Sequence, residues 1–191
     1  MRLVIVGGPG AGKGTQGQRL CQALNIPCIA TGQVFRTAIA EKTPLGCKAA
    51  PYVERGDLVP DELAIEFMRD QLTQADTRNG WLLDGYPRTA FQAEELNFLL
   101  DDLDQKLDWA IWLDAPVAMM MERSLARSRE DDAPEIVRRR LDLFHQRTIP
   151  IVEFYEMRDQ LLRIDASLDP ETVHADVLAQ VNGTQNGTQN G

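Results

Sequence analysis

A glycine-rich run with a single lysine, residues 7–14, is the part of this sequence whose composition most directly suggests chemistry. It follows an apolar, β-branched segment and precedes a helical pattern. A loop that wraps a phosphate group turns its backbone N–H groups inward, and side chains obstruct that arrangement. The next helix points its positive N-terminus at the anion, while Lys13 adds a charge and Thr15 a hydroxyl. The pattern Gly-x4-Gly-Lys therefore predicts a phosphate-binding loop, in which Gly14 separates the lysine from the hydroxyl residue.

Aspartates and arginines elsewhere in the chain could complete a site for a phosphorylated ligand. Asp84 and Asp114 lie at the ends of apolar runs that predict buried strands, and Arg88 follows Asp84 after a Gly-Tyr-Pro turn. Seven arginines lie between Arg123 and Arg147, and arginine is the planar, bidentate partner of phosphate. Such a run is also typical of a solvated helix face, so the pattern alone leaves both interpretations open.

The elements that position these residues alternate between strands and helices. Breaks at Pro44, Gly56 and Pro60 divide the helical pattern of residues 32–74. The alternation predicts βαβ units, and therefore an α/β fold with a parallel sheet whose carboxyl strand ends carry the ligand site. The predicted strands are residues 3–7, 27–30, 81–85, 109–115 and 161–165, and the other predicted helices are residues 13–24, 116–126, 134–158 and one beginning at Pro170.

Composition limits the class of protein. A length of 191 residues with 43% hydrophobic residues suits one domain, and a net charge of −9 argues against a protein that coats nucleic acid. No apolar run approaches the roughly 20 residues that span a bilayer, and the three cysteines lack metal-ligand spacing. We therefore expect a soluble, cytoplasmic protein without nucleic-acid or membrane partners, and a disordered polar tail at residues 182–191.

A phosphate-binding loop by itself does not separate a kinase from a GTPase switch or an ATPase. Five segments together resemble the adenylate kinase family in its short-lid form, and the resemblance extends to about residue 181. The segments are GGPGAGKGTQ from Gly7, TGQVFR from Thr31, GDLVPDEL from Gly56, LLDGYPRTAFQ from Leu82 and RSREDDAPEIVRRRL from Arg127.

The resemblance implies a P-loop core with a parallel five-stranded sheet, an AMP-binding insert at residues 30–59 and a short lid at residues 128–138. The lid region contains no cysteine, so no structural zinc is implied. The implied reaction is phosphoryl transfer from ATP to AMP, giving two ADP, in a protein that is a monomer. Asp84 would hold the Mg²⁺ of ATP through water.

The resemblance also assigns roles to single residues of this chain. Arg88 would bridge the transferred phosphoryl group and the AMP phosphate, and Gln92 would read the adenine edge. Asp131 and Asp132 would orient arginines or the waters of the metal. Arg138 and Arg139 match no family position and are expected at the surface. The implied catalytic residues are Lys13, Arg88, Arg127, Arg129 and Arg140. The implied ATP-binding residues are Gly10, Ala11, Gly12, Lys13, Gly14, Thr15, Arg123, Arg127 and Leu168. The implied AMP-binding residues are Thr31, Arg36, Asp57, Leu58, Val59, Gly85, Tyr86, Pro87, Arg88, Gln92, Arg129 and Arg140.

The chain departs from the family pattern in two places, and three rival functions stay open. Gln33 stands where the family usually has Asp, and the stretch after Asp165 lacks the glycine expected beside Leu168. A pyrimidine monophosphate kinase shares the fold, but its two segments at the monophosphate site typically resemble AGD and GFPRN, where this chain has TGQ from Thr31 and GYPRT from Gly85. No N-K-x-D or T-K-x-D motif supports a guanine-nucleotide switch. Only Gln33 favours a nucleotide-sensing scaffold without catalysis.

Overall fold

The chain forms one parallel sheet surrounded by helices in a computed structural model that describes residues 1–127 and 132–183. Its strands are β1 (Arg2–Val6), β2 (Cys28–Ala30), β3 (Trp81–Asp84), β4 (Trp109–Asp114) and β5 (Leu161–Asp165). Its α-helices are α1 (Lys13–Leu24), α2 (Thr31–Ala40), α3 (Pro44–Arg55), α4 (Asp61–Leu72), α5 (Ala90–Asp102), α6 (Val117–Ala126), α7 (Pro134–Leu143), α8 (Ile149–Glu156) and α9 (Pro170–Gly183).

The sheet places the candidate site at the carboxyl ends of its strands. Its strand order is β2-β3-β1-β4-β5 and every pairing is parallel. In register, Ile5 of β1 lies opposite Asp84 of β3 and Ile111 of β4, and Ala30 of β2 also lies opposite Asp84. The carboxyl ends of these four strands therefore meet where the glycine-rich loop begins. The predicted α/β fold with a five-stranded parallel sheet is confirmed.

Local sequence signals explain the elements that follow β2. Pro44 occupies the first turn of α3, where its missing N–H costs no hydrogen bond, and Thr43 caps that helix by accepting from the Gly46 N–H at 3.1 Å. Gly56 ends the helix in the left-handed conformation, and Pro60 precedes α4. The breaks predicted at Pro44, Gly56 and Pro60 are confirmed.

One predicted helix is wrong as a continuous element. Residues 134–158 form α7, then a π-helical segment at Phe144–Thr148, then α8. Pro150 lies in the first turn of α8 and cannot donate an N–H to the preceding turn, so the hydrogen-bond ladder is interrupted there. Helix α5 was not among the bounded predictions, although Thr89 marks its start as an N-cap.

The ends of the chain and the lid region are described only in part. Helix α9 continues to Gly183, two residues beyond the expected limit of the domain, and residues 184–191 of the predicted tail lie outside the described residues. Residues 128–131 of the predicted lid also lie outside them. Within residues 1–127 and 132–183, no helix combines the length and apolar character that crossing a bilayer requires. Cys21, Cys28 and Cys47 are free thiols.

We expect the Thr89 cap to stabilise the helix that carries Gln92. The Thr89 hydroxyl accepts a hydrogen bond from the Gln92 N–H at 3.1 Å. Thr89→Val removes this acceptor at nearly constant volume, so it should lower the free energy of unfolding by about 1 kcal/mol. Thr89→Ser keeps the hydroxyl and is the matched control. Urea unfolding of both variants measures the difference, and equal midpoints would show that the cap contributes nothing.

Candidate active site

A cleft of about 850 Å³ lies at the carboxyl ends of the central strands. Its wall contains every predicted site residue that the structure describes, whereas Arg129 lies outside the described residues. Six basic side chains line the cleft and only two carboxylates, Asp57 and Asp84, do so among the described residues. The basic residues of the wall are Lys13, Arg36, Arg88, Arg123, Arg127 and Arg140. A chain with a net charge of −9 therefore contains a strongly positive cleft.

The glycine-rich loop packs closely on helix α6 with one side and leaves the other side open. Gly10 has a φ of 80°, and a Cβ at this position would lie 2.1 Å from the Met120 carbonyl oxygen. Gly12 has a φ of 95°, and a Cβ there would meet no atom of the described chain within 4 Å. The loop therefore needs glycine at position 10 for both conformation and space, and its open side faces the cleft.

Helix α1 begins at Lys13, and its N-cap residue is Gly12. Gly12 contributes no side-chain cap, and the first turn holds no acidic residue. The Lys13 ammonium group bends back over the loop and donates to the carbonyl oxygens of Gly7 at 2.7 Å and Gly8 at 2.9 Å. An uncapped helix N-terminus beside an ammonium group is suited to bind an anion.

Asp84 and Thr31 join the loop to the neighbouring strand ends. The Thr31 hydroxyl donates to the Asp84 carbonyl oxygen at 3.0 Å, which ties the start of α2 to the end of β3. A Cβ on Gly14 would lie 3.9 Å from Asp84 Oδ2, so the carboxylate faces the first turn of α1. The Asp84 carboxylate therefore lies beside the helix that follows the glycine-rich loop.

Arg88 is held at its side chain by a backbone carbonyl group and at its own carbonyl group by a side-chain hydroxyl. Its Nε donates to the Gly85 carbonyl oxygen at 2.8 Å, and the Thr148 hydroxyl donates to the Arg88 carbonyl oxygen at 2.9 Å. Burial lowers the pKa of Arg88, and the nearby charges of Arg140 and Arg36 lower it further, while Asp84 opposes the shift. The charged guanidinium group is therefore disfavoured by its surroundings, and a bound phosphate group would stabilise it.

One buried carboxylate holds two of the predicted catalytic arginines. Asp132, whose side chain is 1% exposed, accepts from Arg127 Nε at 2.7 Å and from Arg127 NH2 at 2.8 Å. Its Oδ1 also lies 3.5 Å from Arg140 NH1. Of the two roles considered for Asp132, the structure shows contact with the arginines. This bidentate pair fixes the plane of the Arg127 guanidinium group.

Arg123 fixes the loop that follows strand β5. Its NH1 donates to the Ala166 carbonyl oxygen at 2.8 Å, and its NH2 donates to those of Ser167 at 3.4 Å and Leu168 at 3.5 Å. Leu168 also lines the cleft. Arg123 and Leu168, which the sequence resemblance places at the same ligand, are therefore neighbours.

The Gln92 side chain has a defined orientation because its partners can act in only one way. Gln92 Oε1 accepts from the Arg88 N–H at 2.8 Å, and Nε2 donates to Asp61 Oδ1 at 2.7 Å. A backbone N–H only donates and an ionised carboxylate only accepts, so flipping the amide would lose both bonds. Each end of the amide retains one further hydrogen-bonding position for a ligand.

Gln33 contacts the arginine that the sequence pattern places beside it. Gln33 Oε1 accepts from Arg36 NH2 at 3.2 Å. An amide accepts this bond without adding negative charge, whereas the family's usual Asp would add a carboxylate. Gln33 therefore supplies Arg36 with a hydrogen-bond acceptor without adding a negative charge to the cleft.

Sequence reasoning missed part of the wall because these residues reach it only through the fold. Thr148 is buried in the π-helical segment and contacts Arg88 across 60 positions of the chain. Phe35 packs on Phe67, with ring centroids 5.7 Å apart, and also faces the cleft. Phe35 was discoverable in part, because it lies within the quoted segment TGQVFR. No local signal indicated Thr148.

The side chains at the cleft fit a Mg²⁺ ion that a nucleotide would bring with it. Mg²⁺ prefers oxygen ligands and often keeps its waters when it binds through one carboxylate and substrate phosphates. Asp84 supplies a carboxylate beside the first turn of α1. No group of three or more His, Cys, Asp or Glu side chains within residues 1–127 and 132–183 forms an independent metal cage.

Comparison with known proteins identifies the family. The chain matches the adenylate kinase family model over residues 5–160. It is 56% identical over 178 residues to adenylate kinase 2 of Nostoc sp., covering 93% of this chain and 97% of that protein. It is 52% identical over 181 residues to adenylate kinase 2 of Synechocystis sp., covering 95% and 100%, and 46% identical over 175 residues to adenylate kinase of Xanthomonas campestris pv. campestris, covering 88% and 94%. With its parallel sheet, its glycine-rich loop and its cleft of arginines, the chain belongs to the adenylate kinase family of nucleoside monophosphate kinases.

Proposed function

We propose that this cleft performs the reaction of its family, the reversible transfer of a phosphoryl group from ATP to AMP to give two ADP. The observation that carries the proposal is the convergence of six basic side chains with an uncapped helix N-terminus in one cleft of an acidic protein. Phosphoryl transfer requires mainly positioning and neutralisation of charge, and this arrangement supplies both.

ATP occupies the part of the cleft above the glycine-rich loop in this proposal. The backbone N–H groups of residues 10–15 and the Lys13 ammonium group bind its phosphates, aided by the dipole of α1. Arg123 and Leu168 contact its base, since Arg123 already orders the loop that carries Leu168. Arg127 lies between these regions, where Asp132 directs its guanidinium group at the phosphates.

AMP occupies the part of the cleft between the insert and helix α5. Thr31, Arg36 and Arg88 lie near its phosphate, residues 57–59 and 85–87 line its sugar and base, and Gln92 pairs with the adenine edge. Gln92 Oε1 accepts from the N6 amino group and Nε2 donates to N1, because one position remains on each atom. A pyrimidine in the same position would not reach this pairing, because its ring is smaller, and would leave the buried amide incompletely bonded.

In this proposal Asp84 would hold the Mg²⁺ of ATP through water. When bound, the ion neutralises charge on the phosphates.

The phosphoryl group in transfer is surrounded by arginines in this proposal: Arg88, Arg140 and the lid residue Arg129. An ionised AMP phosphate attacks it without a general base. The insert at residues 30–59 and the lid at residues 128–138 close over the nucleotides and exclude water, which would otherwise compete as acceptor. We further propose that the protein acts as a cytoplasmic monomer.

Lys13 should stabilise the transferred charge more than it stabilises bound ATP. Lys13→Met removes an ammonium group aimed at the loop, and we expect kcat to fall by about 10²–10³, with a smaller loss in ATP affinity. Lys106→Met, which changes an exposed residue outside the cleft, is the matched control. Steady-state kinetics and calorimetric ATP binding measure both effects. Equal losses of rate and affinity would mean that Lys13 contributes only uniform binding.

Gln92 should select adenine over pyrimidines. Gln92→Ala should lower kcat/KM for AMP by about tenfold to a hundredfold, because an oriented pair of hydrogen bonds is lost. The advantage of AMP over UMP and CMP should narrow and the ATP KM should stay nearly constant. Gln74→Ala, at an exposed position outside the cleft, controls for loss of an amide. A coupled assay with AMP, UMP and CMP tests this, and a parent enzyme that prefers CMP or UMP would refute the proposed reaction.

A further inference from the structure

An ion-pair cluster joins the insert to a core helix directly beside the proposed AMP pocket. Asp57 follows α3, and its carboxylate lies between two guanidinium groups. Arg55, from the same segment, places Nε 3.0 Å from Asp57 Oδ2. Arg139, 82 positions further along the chain on α7, donates from Nε to Asp57 Oδ1 and also contacts it through NH2. Of these two contacts of Asp57, the one with Arg139 joins the insert to another part of the fold.

Backbone packing at the same place shows that the contact is more than a chance meeting of long side chains. A Cβ on Gly56 would lie 2.9 Å from Ile136 Cγ2 and 3.1 Å from the Ile136 carbonyl oxygen. The turn before Asp57 therefore rests directly on α7. That helix is anchored in the core through Val137 and Leu141, which are buried. Arg139 thus extends from a fixed support to a segment that belongs to the predicted mobile insert.

The charges suit a persistent contact. The Asp57 side chain is 18% exposed, whereas Arg55 and Arg139 are 57% and 56% exposed. The Arg139 hydrogen bond, followed by that of Arg55, holds the pKa of Asp57 below its usual value, against the opposing effect of its partial burial. The carboxylate is therefore ionised at neutral pH. Because two arginines pair with one carboxylate, the cluster has a net positive charge.

We propose that Arg139 is a positioning residue for AMP: it holds residues 57–59 against α7 and so preforms the wall on which AMP is bound. This inference rests on the proposed placement of AMP at that wall. Arg139 does not line the cleft, so it acts through Asp57 and not on the substrate. A pocket that is already ordered binds its ligand with a smaller loss of conformational entropy. The family resemblance assigned Arg139 no role, and its exposure alone suggested an ordinary surface residue.

Arg139→Gln should raise the KM for AMP about three- to fivefold, the range expected for an exposed pair with good geometry. The kcat and the ATP KM should stay within about twofold, because the helix and its buried face are unchanged. Arg139→Lys should lie between the parent and Arg139→Gln. Arg138→Gln, at the exposed position next to Arg139 on the same helix, controls for the charge of α7. Arg55→Gln controls for the loss of an arginine partner of Asp57, since it removes a guanidinium group without breaking the contact with α7.

A double-mutant cycle gives the second readout. Asp57→Asn and Arg139→Gln act through one contact, so the double variant should show the AMP KM of a single variant and not the product of two effects. An unchanged AMP KM in Arg139→Gln, equal losses in all kinetic constants, or multiplicative effects in the double variant would each overturn the proposal. Gln92→Ala, measured in parallel, separates the positioning role of Arg139 from the placement of AMP. A raised AMP KM there with none in Arg139→Gln refutes this inference alone, and no effect in either variant refutes the placement of AMP as well.

Discussion

The concentration of positive charge in one cleft is the constraint on which the rest of the structure depends. Like charges at close range repel, and removing them from water adds a further cost. The chain meets this cost mainly with backbone carbonyl groups, which hold Lys13, Arg88 and Arg123 in place. Carbonyl groups satisfy hydrogen bonds without cancelling charge, so the cations are positioned and remain available to phosphate. The pKa of Arg88 is lowered first by burial and then by the nearby charges of Arg140 and Arg36.

Few carboxylates lie in or beside the same cleft among the described residues, and each has a different partner. Asp132 is buried beneath Arg127 and Arg140, where it fixes their direction. Asp84 lies beside the first turn of α1 and is suited to a hydrated cation. Asp57 lies at the rim, between the insert and α7. These carboxylates order arginines or a cation without neutralising the whole site, which suits an enzyme whose ligands carry the missing negative charge.

The sheet converts these local arrangements into one site. Parallel strands end at the same edge, and the glycine-rich loop, Asp84 and the start of α2 follow three such ends. The opposite wall comes from α7 and the π-helical segment, which lie far away in sequence. Thr148 shows the effect, because it lies in the π-helical segment and its hydroxyl donates to the Arg88 carbonyl oxygen. The irregular segment is therefore part of how the cleft is shaped.

The sequence by itself determined the elements whose cause is local. Buried strands are continuous apolar runs, prolines and glycines end helices, and a phosphate loop requires glycines at set positions, so these features could be read without the fold. The resemblance to a family then identified the residues that line the cleft, among them Gln92 and Leu168. Arg139 and Thr148 could not be found this way, since their partners lie 82 and 60 positions away. Tertiary structure alone decided which arginine of the run from Arg123 to Arg147 meets which group, because neighbouring residues on a helix point in different directions and only packing selects the direction that reaches a partner.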